Sequence, residues 1–302
     1  MEETQTKCGS VSLIGAPNAG KSTLVNQLVG TKVSIVTHKV QTTRSRVVGI
    51  AMHENSQIVL VDTPGIFHPK KRLDKAMVGA AWREAHSSDV IALLMDAAHK
   101  KRSKEEELIL KELEKRDTHQ KVVLILNKID LVPRERLLKI AQDFHDTGLF
   151  EDIYMVSALS GNGCDRLLRD FSRFIPDGPW AYDADMVSDM PARLLSAEIT
   201  REKLFQQLHQ EIPYMCAVET ENWENTEKGD IKISQIIYVT KARHKGMILG
   251  KQGQKIKKIG RDARLEIQDL LEQKVHLNLF VKVKENWMDD PERYHEWGLE
   301  FS

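Results

Sequence analysis

Cysteine is scarce in this sequence: Cys8, Cys164 and Cys216 are the only three in 302 residues, far apart and without metal-ligand or disulfide spacing. That fits a reducing compartment and excludes a disulfide-stapled secreted fold. Long hydrophobic runs are missing too. The longest, Val90–Met95, is six residues and closes on Asp96, far short of the ~18 that a membrane span needs. The opening Met1-Glu2-Glu3-Thr4 is acidic with no apolar stretch, so it reads as neither secretory signal nor transit peptide. Net charge is also absent, with 44 Lys+Arg against 44 Asp+Glu. No repeat of roughly 20–50 residues is visible. Collagenous, disordered and membrane-spanning classes drop out, and the length suggests two domains, each able to bury a core.

The neutral total hides a strong pattern. Lys241–Arg264 holds nine Lys/Arg against the single acid Asp262, a local balance of +8. Glu219–Asp230 has five acids and one Lys (−4), and Glu285–Ser302 six acids and one Arg (−5). A neutral chain with one concentrated basic block has an addressed basic surface rather than a general affinity for polyanions.

Up to about residue 175, short apolar runs alternate with helical patterns. Val11–Ile14, Gln57–Val61, Val90–Met95, Val122–Leu126 and Ile153–Val156 read as buried strands. Gly20–Val29, Leu73–Ala85, Ser103–Lys115, Arg134–Phe144 and Cys164–Phe174 read as helices. Near-continuous apolar strands each followed by a helix predict an α/β domain whose mostly parallel sheet has helices on both faces. Arg44–Met52 would add a sixth strand, antiparallel to Gln57–Val61. Pro176-Asp177-Gly178-Pro179 is turn chemistry and Asp183–Pro191 is polar without apolar period. These features set a first domain at 7–176 and a linker at 177–191. A second domain, α+β, follows at 192–286: helix Arg193–Glu211, strands Met215–Thr220 and Ile231–Val239, a short helical turn, helix Gly253–Glu272 and strand Val275–Val283. In the last strand Val275, Leu277, Leu279, Val281 and Val283 alternate with polar positions, as in an antiparallel sheet backed by helices. Residues 287–302 form an acidic tail. It is expected either to compete for the basic block or to pack Trp287, Tyr294 and Trp297 as a terminal helix started by Asp290-Pro291.

The chemistry-bearing motifs come in a fixed order. Gly15-Ala16-Pro17-Asn18-Ala19-Gly20-Lys21-Ser22 fits G-x-x-x-x-G-K-[ST] between a strand and a helix. Its N–H groups and the helix start can cradle phosphates, Lys21 can reach the β- and γ-phosphates, and the Ser22 hydroxyl can ligate Mg²⁺. Asp62-Thr63-Pro64-Gly65 follows a strand that delivers a carboxylate toward the metal, with Asp62 holding a metal-bound water and the Gly65 N–H placed to sense the γ-phosphate. Asn127-Lys128-Ile129-Asp130 ends another strand. A carboxylate at Asp130 can accept both N1–H and N2–H₂ of guanine, and sites built this way discriminate by roughly 10⁴–10⁵. Asn127 would tie this loop to the phosphate loop, Lys128 would lie over the purine, and Ser157-Ala158-Leu159 would offer a backbone N–H to guanine O6. Together these exclude an ordinary ATPase.

The four motifs, with Gln41-Thr42-Thr43-Arg44 between the first two, resemble the translation-factor-related small GTPases. The resemblance implies that Thr43, rather than Thr42, closes on Mg²⁺ when GTP is bound, and that this loop and Ile66–Arg72 order with the phosphate. Ile66 stands where Ras-type proteins carry the glutamine that orients water, which implies slow intrinsic hydrolysis. Asn18 resembles the asparagine of potassium-stimulated bacterial GTPases, implying a K⁺ ligand.

Gly250-Lys251-Gln252-Gly253 sits between a short helical turn and a long helix. Two glycines around two polar residues let a phosphate backbone lie against the chain, in the manner of the GXXG clamp of KH modules. The helix buries Ile256, Ile259, Ala263, Ile267 and Leu270 and leaves Lys255, Lys257, Lys258, Arg261 and Arg264 mainly to solvent. Lys245 precedes the clamp. The order α-β-β-α-α-β resembles the type II KH fold.

One GTPase domain followed by one type II KH domain resembles the Era family of GTPases over about residues 7–300. More particular matches lie at Gln41–Ile50, Glu198–Leu204, Glu211–Tyr214 and Val275–Trp287. Ala16 and Ala19 stand where the family more often has Arg and Val. The resemblance implies a monomeric GTP/GDP- and Mg²⁺-binding protein that assists 30S subunit assembly at the 3′ end of 16S rRNA. It also implies a cytoplasmic location, partly peripheral at the inner membrane. A rival reading is an RNA-binding assembly module that holds guanine nucleotide with little turnover. A tRNA-modifying GTPase would need a catalytic cysteine and a folate- or FAD-binding domain, and no such domain is here.

Overall fold

The computed structural model describes residues 5–115, 120–209 and 211–301. They divide into two compact units. Unit 1 takes residues up to Ser34, Thr43–Asp189 and Arg293–Ser302; unit 2 takes Ile35–Thr42 and Met190–Glu292.

Unit 1 runs β1 (Lys7–Ile14), α1 (Lys21–Val29), β2 (Val47–His53), β3 (Ser56–Asp62), α2 (Arg72–Ser87), β4 (Val90–Asp96), α3 (Lys104–Glu114), β5 (Lys121–Asn127), α4 (Arg134–His145), β6 (Asp152–Met155) and α5 (Cys164–Phe174). The sheet order is β2-β3-β1-β4-β5-β6, with β2 antiparallel to β3 and the other neighbours parallel. The strands are continuous apolar runs because both faces are covered. Val11, Leu13, Val123 and Ile125 pack with Leu24 and Phe171 on one face; Ile91, Leu93, Leu124 and Leu126 pack with Ala81 and Ile109 on the other. Strand β1 begins at Lys7 rather than Val11, because Lys7–Ser10 pairs with Ser56–Val59. Period cannot show such polar strand residues.

The stretch expected as a linker is instead stapled to unit 1. The buried Gln57 accepts from the Ala181 and Tyr182 N–H groups through Oε1 (2.9 and 3.0 Å) and donates to the Tyr182 carbonyl (2.8 Å). Farther along, the Ile50 N–H donates to Val187 (2.9 Å) and Ser188 Oγ to the Val48 carbonyl (2.6 Å). Strand β2 is the sheet edge, and its outward backbone groups need partners, which this segment supplies.

Unit 2 runs α6 (Ala192–Gln207), β7 (Cys216–Asn225), β8 (Ile231–Val239), α7 (Ala242–Leu249), α8 (Gln254–Leu271) and β9 (Val275–Val283). Strand β7 is antiparallel to β8, but β8 and β9 are parallel, which corrects the all-antiparallel expectation. Helices α7 and α8 form the crossover that a parallel pair requires. Val283, expected inward, is exposed at the end of the edge strand. Helix α6 stops at Gln207 rather than Glu211, ahead of a short turn at Ile212–Met215 that contains Pro213.

The acidic tail is not a segment of its own. Trp287 is buried in unit 2, where Nε1 donates to the Met215 carbonyl (3.2 Å). Helix α9 (Pro291–Glu296) follows. Tyr294 and Leu299 are buried in unit 1 against Phe67, Ala76, Met77 and Ala80. These apolar contacts hold Tyr294 and Leu299 in place, with the half-buried Trp297 packed against the same cluster.

Candidate functional site

The phosphate loop joins β1 to α1. Gly20 caps the helix at φ 102°, a left-handed conformation that favours glycine, and a Cβ there would sit 2.3 Å from Asn127 Nδ2. Gly15, Ala16 and Ala19 are buried, Pro17 is half-buried and Asn18 is exposed at φ 63°. Lys21 is buried, and Nζ donates to the Gly15 and Ala16 carbonyls, 3.2 Å each. Burial pulls its pKa from 10.5 down to about 8, opposed by the charge of Asp62.

Asp62, at the end of β3, is fully buried, and burial pushes its carboxyl upward. Lys21 and hydrogen bonds from Ser22, Ser34 and Thr43 hold it down. Ser22 Oγ donates to Asp62 Oδ2 at 2.6 Å and lies 3.1 Å from Thr43 Oγ1. Thr42 faces elsewhere: its Oγ1 donates to the Lys39 carbonyl at 2.8 Å. Asp62 Oδ1 is buried with no hydrogen-bond partner among the described residues. A buried acceptor beside two hydroxyls suits Mg²⁺, a hard cation that takes oxygen ligands. Thr63 Oγ1 donates to the Leu13 carbonyl (2.7 Å), and the Ile66 N–H to that of Gly15 (3.0 Å). Pro64 is buried, and a Cβ on Gly65 would come within 3.0 Å of Pro17. The Ile66 side chain is fully buried with Ile14, Ala81 and Ile91, so it serves the core.

Asn127, at the end of β5, links three loops. Nδ2 donates to the Ala19 carbonyl (2.8 Å) and Oδ1 accepts from the Ala158 N–H (2.9 Å). Lys128, at φ 63°, sends Nζ to the Asn18 carbonyl (3.0 Å) and to Asp96 Oδ2 (2.6 Å). Ile129 and Asp130 lie in a short 3₁₀ turn, where Asp130 is exposed and makes no side-chain hydrogen bond or ion pair among the described residues. The Ser157 N–H donates to Asn162 and that of Ala158 to Asn127. The Leu159 side chain beside them is exposed.

Three contributors escaped the sequence reading. Ser34 Oγ donates to Asp62 (2.8 Å), and Asn26 holds Ser34 in place by accepting from its N–H (2.9 Å) and donating to its carbonyl (2.7 Å). Neither carries a motif signal. Asp96, the partner of Lys128, had one: it is the acid closing the longest apolar run.

In unit 2, Gly250, Gln252 and Gly253 have φ 71°, 51° and 73°, so the clamp turns sharply before α8. A Cβ on Gly250 would strike that of Lys255 at 2.7 Å. Lys245, Lys251, Gln252, Lys257 and Lys258 are exposed and Lys255 is half-buried. None of these five lysines forms an ion pair among the described residues. Their charge is available to an anion, and the loop's tight backbone can approach a phosphate closely.

Residues 10–128 match the family described as 50S ribosome-binding GTPase, and residues 211–288 match the KH domain. A GTPase Era from Mesorhizobium japonicum is 56% identical over 300 residues, 99% of this chain and 96% of that protein. One from Brucella suis is 54% identical over the same shares. Among solved structures, an Aquifex aeolicus Era variant bound to GDP·AlF₄⁻ is 36% identical with a TM-score of 0.89. An Era in complex with MgGDPNP and nucleotides 1506–1542 of 16S ribosomal RNA is 36% identical with a TM-score of 0.91; each alignment covers 97% of this chain and 99% of the other. With likeness over nearly the whole length of each protein, the chain belongs to the GTPase Era family.

Proposed function

We propose that this protein hydrolyses GTP to GDP and phosphate, and that its nucleotide state governs binding of the 3′ end of 16S rRNA through unit 2 during 30S subunit assembly. The observation that carries the reading is the convergence of Ser22, Thr43 and Asp62 oxygens beneath the phosphate loop, with Asp62 Oδ1 left unpaired. Ser22 and Thr43 would hold Mg²⁺ directly and Asp62 through water. The chemistry such an ion would supply is neutralisation of charge on the β- and γ-phosphates. Lys21 would add a positive charge to the β- and γ-phosphates, and the Gly65 N–H would be a donor to the terminal phosphate. Asp130 selects guanine, Leu159 offers its N–H to O6, and Asn127 holds both loops in register.

No donor or acceptor at position 66 faces the phosphates, since Ile66 lies in the core, so the intrinsic rate is expected to be slow. The exposed Asn18 in the phosphate loop is the position for a potassium ion in this reading. The basic surface at Lys245, Lys251, Lys255, Lys257 and Lys258 takes the RNA backbone, as a KH clamp does. The protein acts as a monomer in the cytoplasm. Among the described residues no helix is long and apolar enough to cross a membrane, and any association with the inner membrane is peripheral.

Single-turnover hydrolysis of γ-labelled GTP in potassium and in sodium tests the reading. Phosphate release, faster in potassium, is expected. Tight GTP binding with no release in either salt would leave an RNA-binding module that carries nucleotide without turning it over.

A further inference from the structure

Residues Ile35–Thr42, which lead directly into Thr43, are anchored along α6 within unit 2. The Val36 N–H donates to Glu202 Oε1 at 2.8 Å. Lys39 Nζ donates to the Leu208 carbonyl (2.8 Å) and to that of Phe205. Phe205 is in the last turn of α6 and Leu208 caps it, so the cation also meets the negative end of the helix dipole. At the end of the segment, Arg201 Nη2 donates to the Thr42 carbonyl at 2.6 Å. Within the segment the Thr37 and Thr42 hydroxyls lie 2.6 Å apart, and Gln41 turns the chain at φ 56°.

Arg201 is held for this task. It is almost wholly buried, Nε donates to Glu198 Oε1 at 2.7 Å, Nη2 also meets Glu198 Oε2, and the guanidinium lies 5.4 Å from the Phe205 ring centre. Its Nη1 is buried without a hydrogen-bond partner among the described residues, and burying a charge is costly unless it is paired and fully hydrogen-bonded. Helix packing would be served as well by an apolar residue. What the guanidinium adds is a fixed, planar donor aimed at one backbone carbonyl.

That carbonyl belongs to the peptide bond that continues into Thr43, whose hydroxyl lies 3.1 Å from Ser22 Oγ. We propose that Arg201 is a positioning residue for GTP hydrolysis: by holding the Thr42 carbonyl, with Lys39 and Glu202 fixing the preceding residues, it sets where Thr43 can reach. An enzyme loses rate when a group is held loosely near, but not at, its working position. The proposal rests on the hydrolysis reading above.

The test compares Arg201→Met, which keeps a linear stem but has no donor, with Arg201→Lys, which restores one. Single-turnover hydrolysis in Arg201→Met is expected to fall roughly tenfold, the size of one lost charge-assisted hydrogen bond, with affinity for GDP unchanged. Arg201→Lys should recover most of the rate. A second readout does not depend on turnover. In Mg²⁺ and GDPNP, amide exchange over residues 42–44 should be slow in the parent and in Arg201→Lys, and fast in Arg201→Met. Lys39→Met, at a half-buried site, gives a second perturbation should Arg201→Met fold poorly. It too should slow hydrolysis several-fold and speed that exchange. If the parent hydrolyses GTP and these variants match it in rate and exchange, the positioning role is wrong. If the parent shows no turnover, the hydrolysis reading itself has failed.

Discussion

Asn127 offers the sharpest energetic test of the nucleotide site. It is 2% exposed, and its amide satisfies two backbone groups distant in sequence, the Ala19 carbonyl at 2.8 Å and the Ala158 N–H at 2.9 Å. Asn127→Ala leaves both without partners. A buried backbone group stripped of its bond costs about 1–3 kcal/mol. Local relaxation and water entering the space left by the side chain should hold the total to about 2–4 kcal/mol, out of the roughly 5–15 kcal/mol that stabilises a domain. Asn127→Asp should do no better, since it keeps an acceptor for Ala158 but sets an oxygen against the Ala19 carbonyl. Native-state hydrogen exchange of β1 and β5 amides, without nucleotide and at increasing urea, reports unit 1 alone and avoids treating two units as one transition. GDP affinity should fall in parallel, because the phosphate and base loops lose their shared tie. Opening free energies within about 0.5 kcal/mol of the parent would refute the reasoning, since surface substitutions without a structural role fall within that range.

Asp130→Asn should move nucleotide preference from guanine to xanthine, whose C2 oxygen accepts from the new amide; competition between GDP and XDP checks it, and retained guanine preference would remove Asp130 from the site. Lys21 has a folded-state pKa of about 8 against 10.5, so its burial costs stability while it is charged. That cost is relieved as pH rises from about 8 toward 10.5. The nucleotide-free parent should therefore gain stability relative to Lys21→Met across that window, and a constant difference would contradict the assigned burial. Replacing Lys251 and Gln252 together by Asp should weaken RNA binding and leave GDP affinity intact; equal RNA affinity in a filter-binding assay would place the clamp elsewhere.

The parts of this molecule that sequence makes legible are those where chemistry or packing demands a residue type at a fixed spacing. In the proposed reading the segments Gly15–Ser22, Asp62–Gly65, Asn127–Asp130 and Gly250–Gly253 are such places, because phosphate, metal and base would each require particular donors or acceptors. The helices and strands showed in the period of their apolar residues. What the period could not show was polar backbone recruited by a neighbour: Lys7–Ser10 in β1, Glu221–Asn225 in β7, and the stretch 177–189 along the edge of β2. The first and last are set by partners distant in sequence, and the second by its hairpin partner Ile231–Ser234. The parallel pairing of β8 and β9 was concealed for a related reason, since the alternation in β9 reports a half-covered face and not the direction of its neighbour.

Helix α6 shows the limit most clearly. Ten of its sixteen residues are buried, and they include Ser196, Thr200, Arg201, Glu202 and Lys203, so no polar face exists for a period to reveal. Most of their polar atoms are paired, and Ser196 Oγ and Arg201 Nη1 are the buried exceptions among the described residues of this helix. Thr200 Oγ1 donates to Gln235 Oε1 at 2.6 Å, Lys203 meets both Glu202 and Glu266, and Arg201 meets Glu198 and the Thr42 carbonyl. Buried charges arranged this way contribute little net stability, because desolvation offsets their attraction. Stability alone therefore gives no reason to place three ionisable side chains in succession inside a unit of this size. Two of the three, Arg201 and Glu202, point their polar atoms at backbone of the segment 36–42. Their presence is explained by the need to hold that segment in one conformation, an orienting role for which a directional hydrogen bond serves and an apolar contact does not.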